Sequence, residues 1–286
     1  MKLKSHKIIV NFLFLVSVIF SQNITEAQTI SAGNDSLICF GDSIQLGGNP
    51  VATGSPVSFS WTSSVSATAF STDSTPTVRP SSKIDYYLQV VYSTFTLIDT
   101  VTISLVKLKA NFGLSKDTIC SGSEVSFYDS SKYTSASAKF AWNFGTINDT
   151  SVNQNPKHFF NVSTLGSGTT SRTITLQVVD SGCSSIFKDT VTIKHLPSVA
   201  HEDLGAAMAG TKYFTNCVGF GNYRLNLMNS STTANTNSSY SIDWGDGSST
   251  NLTSSNYGFQ STTSHTYLTQ GYFYLNYKVT GSNGCK

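Results

Sequence analysis

Apolar and polar residues alternate along much of this chain. Val57-Ser58-Phe59-Ser60-Trp61, Tyr87-Leu88-Gln89-Val90, Arg172-Thr173-Ile174-Thr175-Leu176-Gln177-Val178 and Tyr272-Phe273-Tyr274-Leu275-Asn276-Tyr277 follow a period of two. They are rich in β-branched and aromatic residues and are bounded by Gly, Ser, Asn and Pro, which predicts half-buried strands. Beyond the N-terminal apolar run, only Glu202 to Met208 has the makings of a helical turn. Short strands with frequent turn signals and no helices predict an all-β chain of sandwiches. Each buries the alternate face of its strands between two sheets.

The pattern repeats. Asp-Thr-Val-Thr-Ile occurs at Asp99–Ile103 and again 90 residues later at Asp189–Ile193. Upstream, Asp35-Ser36-Leu37-Ile38-Cys39 matches Asp117-Thr118-Ile119-Cys120, with Gly41 and Gly122 two residues past each Cys. Trp61 and Trp142 each follow their Cys by 22 residues. Ordered matches at the start, middle and end of two windows predict duplication. A diverged third copy contains Cys217, Tyr223-Arg224-Leu225-Asn226-Leu227, Ile242-Asp243-Trp244-Gly245-Asp246-Gly247 and Gly284-Cys285. Aligned on Gly145 and Gly245, Trp244 takes the place of Phe144, and Ile242 that of Trp142. Trp61, Trp142 and Ile242 are the expected central core residues.

These residues carry a resemblance. The second and third copies resemble polycystic-kidney-disease (PKD) domains, whose centre reads Trp-Asp-Phe-Gly-Asp-Gly. The second gives Trp142-Asn143-Phe144-Gly145, then Pro156-Lys157-His158-Phe159-Phe160; the third gives Asp243-Trp244-Gly245-Asp246-Gly247, then His265-Thr266-Tyr267 and Gly271-Tyr272. The second lacks the Asp-Gly after Gly145, so its turn is expected to differ. The first copy, with Phe59-Ser60-Trp61 and Pro76-Thr77-Val78-Arg79-Pro80 before Tyr86-Tyr87, is similar to the related immunoglobulin-like repeats of Bacteroidota surface proteins, of the gliding-motility or adhesin-like type. The resemblance implies tandem immunoglobulin-like (PKD-type) β-sandwiches over 28–108, 109–197 and 198–286, and says nearly nothing about a ligand. The third stops at Gly284-Cys285-Lys286, before an Asp-Thr-Val-Thr-Ile-like strand. It is expected to lack its last strand, to leave an unpaired sheet edge, and to belong to a longer protein.

Composition adds the compartment. Lys2, Lys4 and Lys7 precede an apolar run from Ile8 to Phe20, the layout of a signal peptide spanning 1–27 and cleaved after Ala27. The run is too short to span a bilayer permanently. Removing it leaves 15 basic and 15 acidic residues. Without a basic stripe, nucleic acid and anionic membrane are excluded as expected partners. Eighteen Phe, 13 Tyr and 3 Trp exclude a disordered chain.

Five Cys in an exported chain predict disulfides. Cys120 with Cys183, and Cys217 with Cys285, are the natural pairs inside one copy. Against them, the start of the second strand and the turn before the last strand lie at opposite ends of a regular sandwich. That exceeds the ~7 Å Cα limit, and both readings stay open. The first copy has Ser93-Thr94-Phe95 in place of a Gly-Cys turn, which leaves Cys39 as a Cys without a partner, or as an intermolecular bridge.

Candidate chemistry is sparse. His158 and His265 fall at matching positions and read as structural. His201-Glu202-Asp203 is the one dense titratable cluster, placed in an expected linker after Pro197, where a preformed cation site is unusual. Asp243 and Asp246 bracket Gly245; turn formation is the expected role and calcium binding the alternative. No Gly-x-Ser-x-Gly, His-Glu-x-x-His, Walker loop or Cys-x-x-Cys occurs, so neither a cofactor nor catalysis is expected. Asp-(Ser/Thr)-apolar triplets at Asp35, Asp42, Asp99, Asp117 and Asp189 are similar to an O-glycosylation motif of exported Bacteroidota proteins; ordinary strand starts are the plainer reading. The expectation is a secreted, non-catalytic cell-surface module with adhesion or spacer duties and protein or glycan contacts, Tyr257 and Phe259 being either candidate contacts or, equally, core residues. An accessory region of a secreted hydrolase is the alternative.

Overall fold

The computed structural model describes residues 27–204 and 223–286. The expected signal peptide, apart from Ala27, and Cys217 lie outside the described residues. The chain forms two compact units, one of residues up to Leu37 with Gly41–Ser104, the other of Ile38–Phe40 with Leu105–Lys286. The fold is all-β and immunoglobulin-like.

The first unit is built on β1 (Ser36–Cys39), β2 (Ile44–Gln45), β3 (Ser58–Ser63), β4 (Ser66–Ser71), β5 (Thr77–Val78), β6 (Ile84–Val91) and β7 (Thr96–Val106). Their order is β1-β7-β6-β3-β4 in one sheet, with β2 and β5 forming a separate ribbon. Pleating sends alternate residues to one face. Trp61, opposite Leu88, and Val101, opposite Tyr86, are therefore buried together.

The second unit begins with a two-layer sandwich. It comprises β8 (Phe112–Leu114), β9 (Thr118–Cys120), β10 (Ser123–Asp129), β11 (Lys139–Asn143), β12 (Thr150–Ser151), β13 (Lys157–Phe160), β14 (Thr169–Asp180) and β15 (Cys183–Lys194). One sheet runs β13-β10-β8 and the other β12-β11-β14-β15-β9, with β9 parallel to β15. That is the immunoglobulin arrangement, a three-stranded sheet facing one whose last strand also takes a short strand from the chain start. Val125 and Phe127 pack against Trp142, Leu176, Val178 and Val191 in the shared core. β14 and β15 form a long hairpin through Ser181 and Gly182, both left-handed (φ 50 and 78). This two-residue turn matches the strands' twist.

A second sandwich follows in the same unit. Its strands are β16 (His201–Asp203), β17 (Tyr223–Asn229), β18 (Asn237–Asp243), β19 (Ser249–Thr253), β20 (Thr262–Tyr267) and β21 (Asn276–Gly281). The sheets are β16-β17-β20 and β19-β18-β21. Leu227, Tyr240, Ile242, Trp244, Tyr257 and Val279 form its core. Buried Asn229, Ser231 and Asn237 are satisfied: Asn229 Nδ2 donates to Tyr257 O (2.9 Å), and Asn237 Nδ2 donates to Ser231 Oγ and Tyr240 OH (3.1 Å each). Two local expectations change and one open reading is decided. His201–Asp203 is a strand rather than a linker, because β17 supplies it a backbone partner; of the helical turn expected over Glu202 to Met208, residues 205–208 lie outside the described residues. Of the two readings open to Tyr257 and Phe259, Tyr257 is core, since the turn after β19 folds it inward, while Phe259 is exposed. The strand expected over Tyr272–Tyr277 begins only at Asn276, where the ladder to β18 begins.

The expected cysteine pairs are overturned. Cys39 bonds Cys183 and Cys120 bonds Cys285, with Cα–Cα distances of 5.6 and 5.7 Å. Cys183 opens β15, whereas Cys120 lies opposite Lys194 at its far end. A 12-residue strand at ~3.3 Å per residue sets those two cysteines roughly 36 Å apart, beyond any bridge. Cys285 is taken by Cys120, which rules out its pairing with Cys217, and Cys39 has a partner after all. In both bonds the Cys before the second strand of one copy joins the Gly-Cys turn of the next. At the junction of the two sandwiches of the second unit, Asn283 adds polar contacts beside the bond. Its Nδ2 donates to His195 O (2.9 Å), and its carbonyl accepts from Lys194 Nζ (3.1 Å).

Candidate functional site

The residues singled out by the motif converge on one turn in each sandwich of the second unit. In the third copy, β18 and β19 are joined by Trp244–Ser248. Asp243 Oδ1 accepts from the Gly245 N–H (3.0 Å), and Gly245 takes a left-handed φ of 78. Asp246 Oδ1 accepts from the Ser248 N–H and hydroxyl, while Asp246 Oδ2 meets His265 Nε2 at 2.7 Å. The Ser248 hydroxyl, then His265, hold the Asp246 carboxyl down to about 2. His265 lies flat on Trp244 with ring centroids 4.8 Å apart.

The second copy builds the same arrangement from different residues. Asn143 Oδ1 accepts from the Gly145 N–H (2.8 Å), and Gly145 is left-handed with φ 91. The turn is one residue longer, as the missing Asp-Gly requires. Asn148 (φ 63) supplies the second left-handed residue and Asp149 the carboxylate. Asp149 Oδ2 accepts from Thr146 Oγ1 (3.0 Å) and stands 3.2 Å from His158 Nε2. His158 stacks on Phe144 at 4.2 Å. Burial lowers the His158 pKa, with Asp149 partly opposing it. Each turn is thus a stack of aromatic, imidazole and carboxylate. Sequence reasoning matched the two histidines and singled out Asp246, but missed Asp149 and the pairing of each carboxylate with its histidine, since they lie nine residues before His158 and 19 before His265 and so leave no periodic signal.

Ser248, His265 and Asp246 do not form a nucleophilic triad. A triad needs the imidazole between hydroxyl and carboxylate, one ring nitrogen on each. Here the Ser248 hydroxyl donates to the carboxylate itself, and a single nitrogen, His265 Nε2, faces both Asp246 and Ser248 (3.4 Å).

The three tryptophans are buried and anchored by their indole N–H groups. Trp61 donates to Asp73 O (3.0 Å), Trp142 to Asn153 O (2.8 Å) and Trp244 to Thr250 Oγ1 (2.9 Å). On β16, His201 lies 4.8 Å from the Tyr277 ring, while Glu202 points to the opposite face. The expected cluster is thereby divided. Among the described residues no group of three or more His, Cys, Asp or Glu is placed to hold a metal. In the Asp-(Ser/Thr) triplets, Asp35 Oδ1 accepts from Thr102 N and Asp99 Oδ2 from Ala32 N (2.8 Å each). The hydroxyl residues Ser43, Thr100, Thr118 and Thr190 are exposed. One shallow depression in the second unit is lined by Lys107, Tyr133, Ser135 and Asp180. The Asp180 carboxylate there is held low by the N–H and hydroxyl of Ser135. No helix among the described residues is long and apolar enough to cross a membrane.

No family model and no curated protein matches the chain. Among solved structures it is similar to the N-terminal four Ig domains of Dscam1 isoform 9.44, at 13% identity over 59% of this chain and 45% of that one, with a TM-score of 0.28. It is also similar to extracellular domains 3–5 of Drosophila OTK, at 11% over 57% and 59%, with a TM-score of 0.30. A third is the three N-terminal domains of the bacteriophage RB49 Highly Immunogenic Outer Capsid protein Hoc, at 15% over 79% of each chain, with a TM-score of 0.29. The chain spans less than two thirds of the first two.

Proposed function

We propose that this chain is a non-catalytic extracellular module of PKD-like repeats, associated with the cell surface, that holds protein- or glycan-binding loops at a fixed distance. The observation that carries the reading is the junction at Cys120–Cys285. A disulfide, reinforced by Asn283 and Lys194, ties one sandwich to the next. A covalent tie between consecutive modules suits a spacer that must not fold back on itself. Disulfides persist in oxidising compartments, which favours the extracellular side. The conserved geometry of the two turns, with Asn143 or Asp243 closing on the following glycine, supports the PKD assignment. The carboxylates and imidazoles in those turns bond one another or the backbone, which supports a structural role for them.

The test is made on intact cells of the source organism. Antibody to the purified chain labels unpermeabilised cells, and deletion of the gene weakens attachment to protein- or glycan-coated surfaces. Cells that label only after permeabilisation overturn the location. A deletion strain that attaches normally but loses an extracellular hydrolase activity moves the assignment to an accessory region of an enzyme.

A further inference from the structure

In the second copy β10 lies between β13 and β8. Val125 and Phe127 face the core, so Glu124, Ser126 and Tyr128 face outward. Phe159, opposite Glu124, and Gly113, opposite Tyr128, share that outer face. The pairing continues past the strand ends, where Lys109 and Lys132 exchange both backbone hydrogen bonds (3.1 and 2.8 Å). Leu108 and Ala110 pack on the core, which turns Lys107 and Lys109 outward, and Lys132 stands directly opposite Lys109. Tyr133 follows in a left-handed conformation (φ 62), uncommon for a bulky residue, and lines one depression with Lys107. Ser135 donates its N–H and hydroxyl to the buried Asp180 carboxylate, which fixes the loop that carries Tyr133. Tyr128, Tyr133 and Phe159 are 54%, 69% and 58% exposed, so three large rings stand in solvent on one side of one sandwich.

Like charges set directly opposite each other destabilise a strand pair. Even so, no ion pair among the described residues reaches Lys107, Lys109 or Lys132. The nearby carboxylates are engaged: Glu124 pairs with Lys157 (3.2 Å), and Asp129 accepts from the Ser131 N–H and from Gln154 Nε2. The third copy has the same fold without this face. The registers Val125↔His158 and Leu225↔His265 put Met228 in the place of Tyr128 and Thr266 in that of Phe159. Further along the same line, Thr232 takes the place of Lys132. The rings and cations are therefore no requirement of the fold.

We infer that the outer face of the β13-β10-β8 sheet binds an acidic polysaccharide. Between Glu124 and Lys132 it runs for roughly 25 Å at ~3.3 Å per residue, room for several sugar rings. An aromatic ring presents a negative face, which suits the C–H face of a sugar. The lysines offer ammonium groups to acid groups on the same polymer, the stronger kind of hydrogen bond. Charge complementarity selects an anionic partner, because the lysines are the unneutralised groups of this face. The rings select a sugar, because an acidic peptide would use the lysines and leave Tyr128, Tyr133 and Phe159 idle. The inference rests on the extracellular reading above and names its ligand class.

Calorimetric titration of the full chain tests it with polygalacturonate, dextran sulfate and neutral dextran. At least one acidic polymer is expected to bind saturably, and which one does tells carboxylate from sulfate; neutral dextran is expected to bind at least tenfold more weakly. Lys109→Gln with Lys132→Gln should weaken the binding at least tenfold. Tyr128→Met with Phe159→Thr, which installs the residues of the third copy, should weaken it at least fivefold at unchanged Tm. Polyglutamate should bind at least tenfold more weakly than the polysaccharide and be indifferent to the second variant. Failure of both acidic polymers to bind overturns the inference, as does equal binding of neutral dextran or unchanged binding by both variants. Equal binding of polyglutamate overturns it in favour of an acidic protein. Binding by the purified chain, beside a deletion strain that attaches normally, overturns the attachment role and leaves this inference standing; lost attachment with no binding does the reverse.

Discussion

Gly245 and Gly247 lie two residues apart in one turn and differ in what a methyl group would meet. Both are left-handed, with φ of 78 and 88. A Cβ on Gly245 would stand 2.7 Å from Tyr274 O and 2.8 Å from Tyr274 N, whereas one on Gly247 meets nothing within 4 Å. Backbone atoms yield little, so Gly245→Ala carries the clash on top of the conformational cost. It is expected to destabilise by about 2–3 kcal/mol, against about 1 kcal/mol for Gly247→Ala. Urea denaturation of the two variants checks this, and equal losses would show that the 274 backbone gives way. Trp142 poses the same kind of question in the core. It is buried between the sheets and touches Phe112 and Phe127. Trp142→Ala is expected to cost about 3–5 kcal/mol. Trp142→Phe keeps most of that packing but loses the bond to Asn153 O, about 1 kcal/mol. A Phe variant as weak as the Ala variant would put the indole N–H, not the packing, in charge.

At the scale of elements, the stacked turns make stability depend on pH in two windows. Asp246 has its folded pKa lowered from 3.8 to about 2. A depressed carboxyl binds fewer protons folded than unfolded, so its contribution is present above about pH 4 and is lost as pH falls toward 2. His158 is also depressed, by burial. Its contribution is complete above the ordinary histidine value of 6.5 and declines as pH falls below it. Thermal melts should therefore show an acid limb that Asp246→Asn flattens between pH 4 and 2. A gentler slope below pH 6.5 should be the one that His158→Gln removes. Unchanged slopes in both variants would mean that other groups set the pH response. The turns themselves were legible: Asp243-Trp244-Gly245-Asp246-Gly247 demands left-handed glycines and a side-chain acceptor, and the structure supplies both. The carboxylate–imidazole contacts were not legible, because they join residues brought together by sheet packing rather than by spacing. The Tyr272–Leu275 segment failed as a strand for the same reason, since propensity names a strand former but only a neighbour makes the ladder.

At the scale of the whole chain, the period-two pattern located the strands because burial on one face is a local constraint, while the covalent plan stayed hidden because it is non-local. Cys120 and Cys183 look paired when each copy is read alone, yet they occupy opposite ends of β15. The doubt raised by sandwich geometry was the correct guide, and what it lacked was the neighbouring copy. A non-reducing digest is expected to yield disulfide-linked peptides joining Cys39 to Cys183 and Cys120 to Cys285; a peptide joining Cys120 to Cys183 would refute the arrangement. The energetic consequence follows from the length of chain that is closed. With a separation of 165 residues, Cys120–Cys285 restricts the unfolded chain by roughly 5 kcal/mol on the chain-entropy account. In the folded chain it also couples two cores that have no residue in common. Cys120→Ser with Cys285→Ser leaves Asn283 and Lys194 to hold the junction by hydrogen bonds, each worth about 1 kcal/mol. Calorimetry of the double variant should then resolve separate melting of the two sandwiches, with the third copy unfolding first because, among the described residues, each of its two sheets has three strands, against three and five in the second copy. A single transition at the original temperature would show that packing, not the bond, couples the two sandwiches.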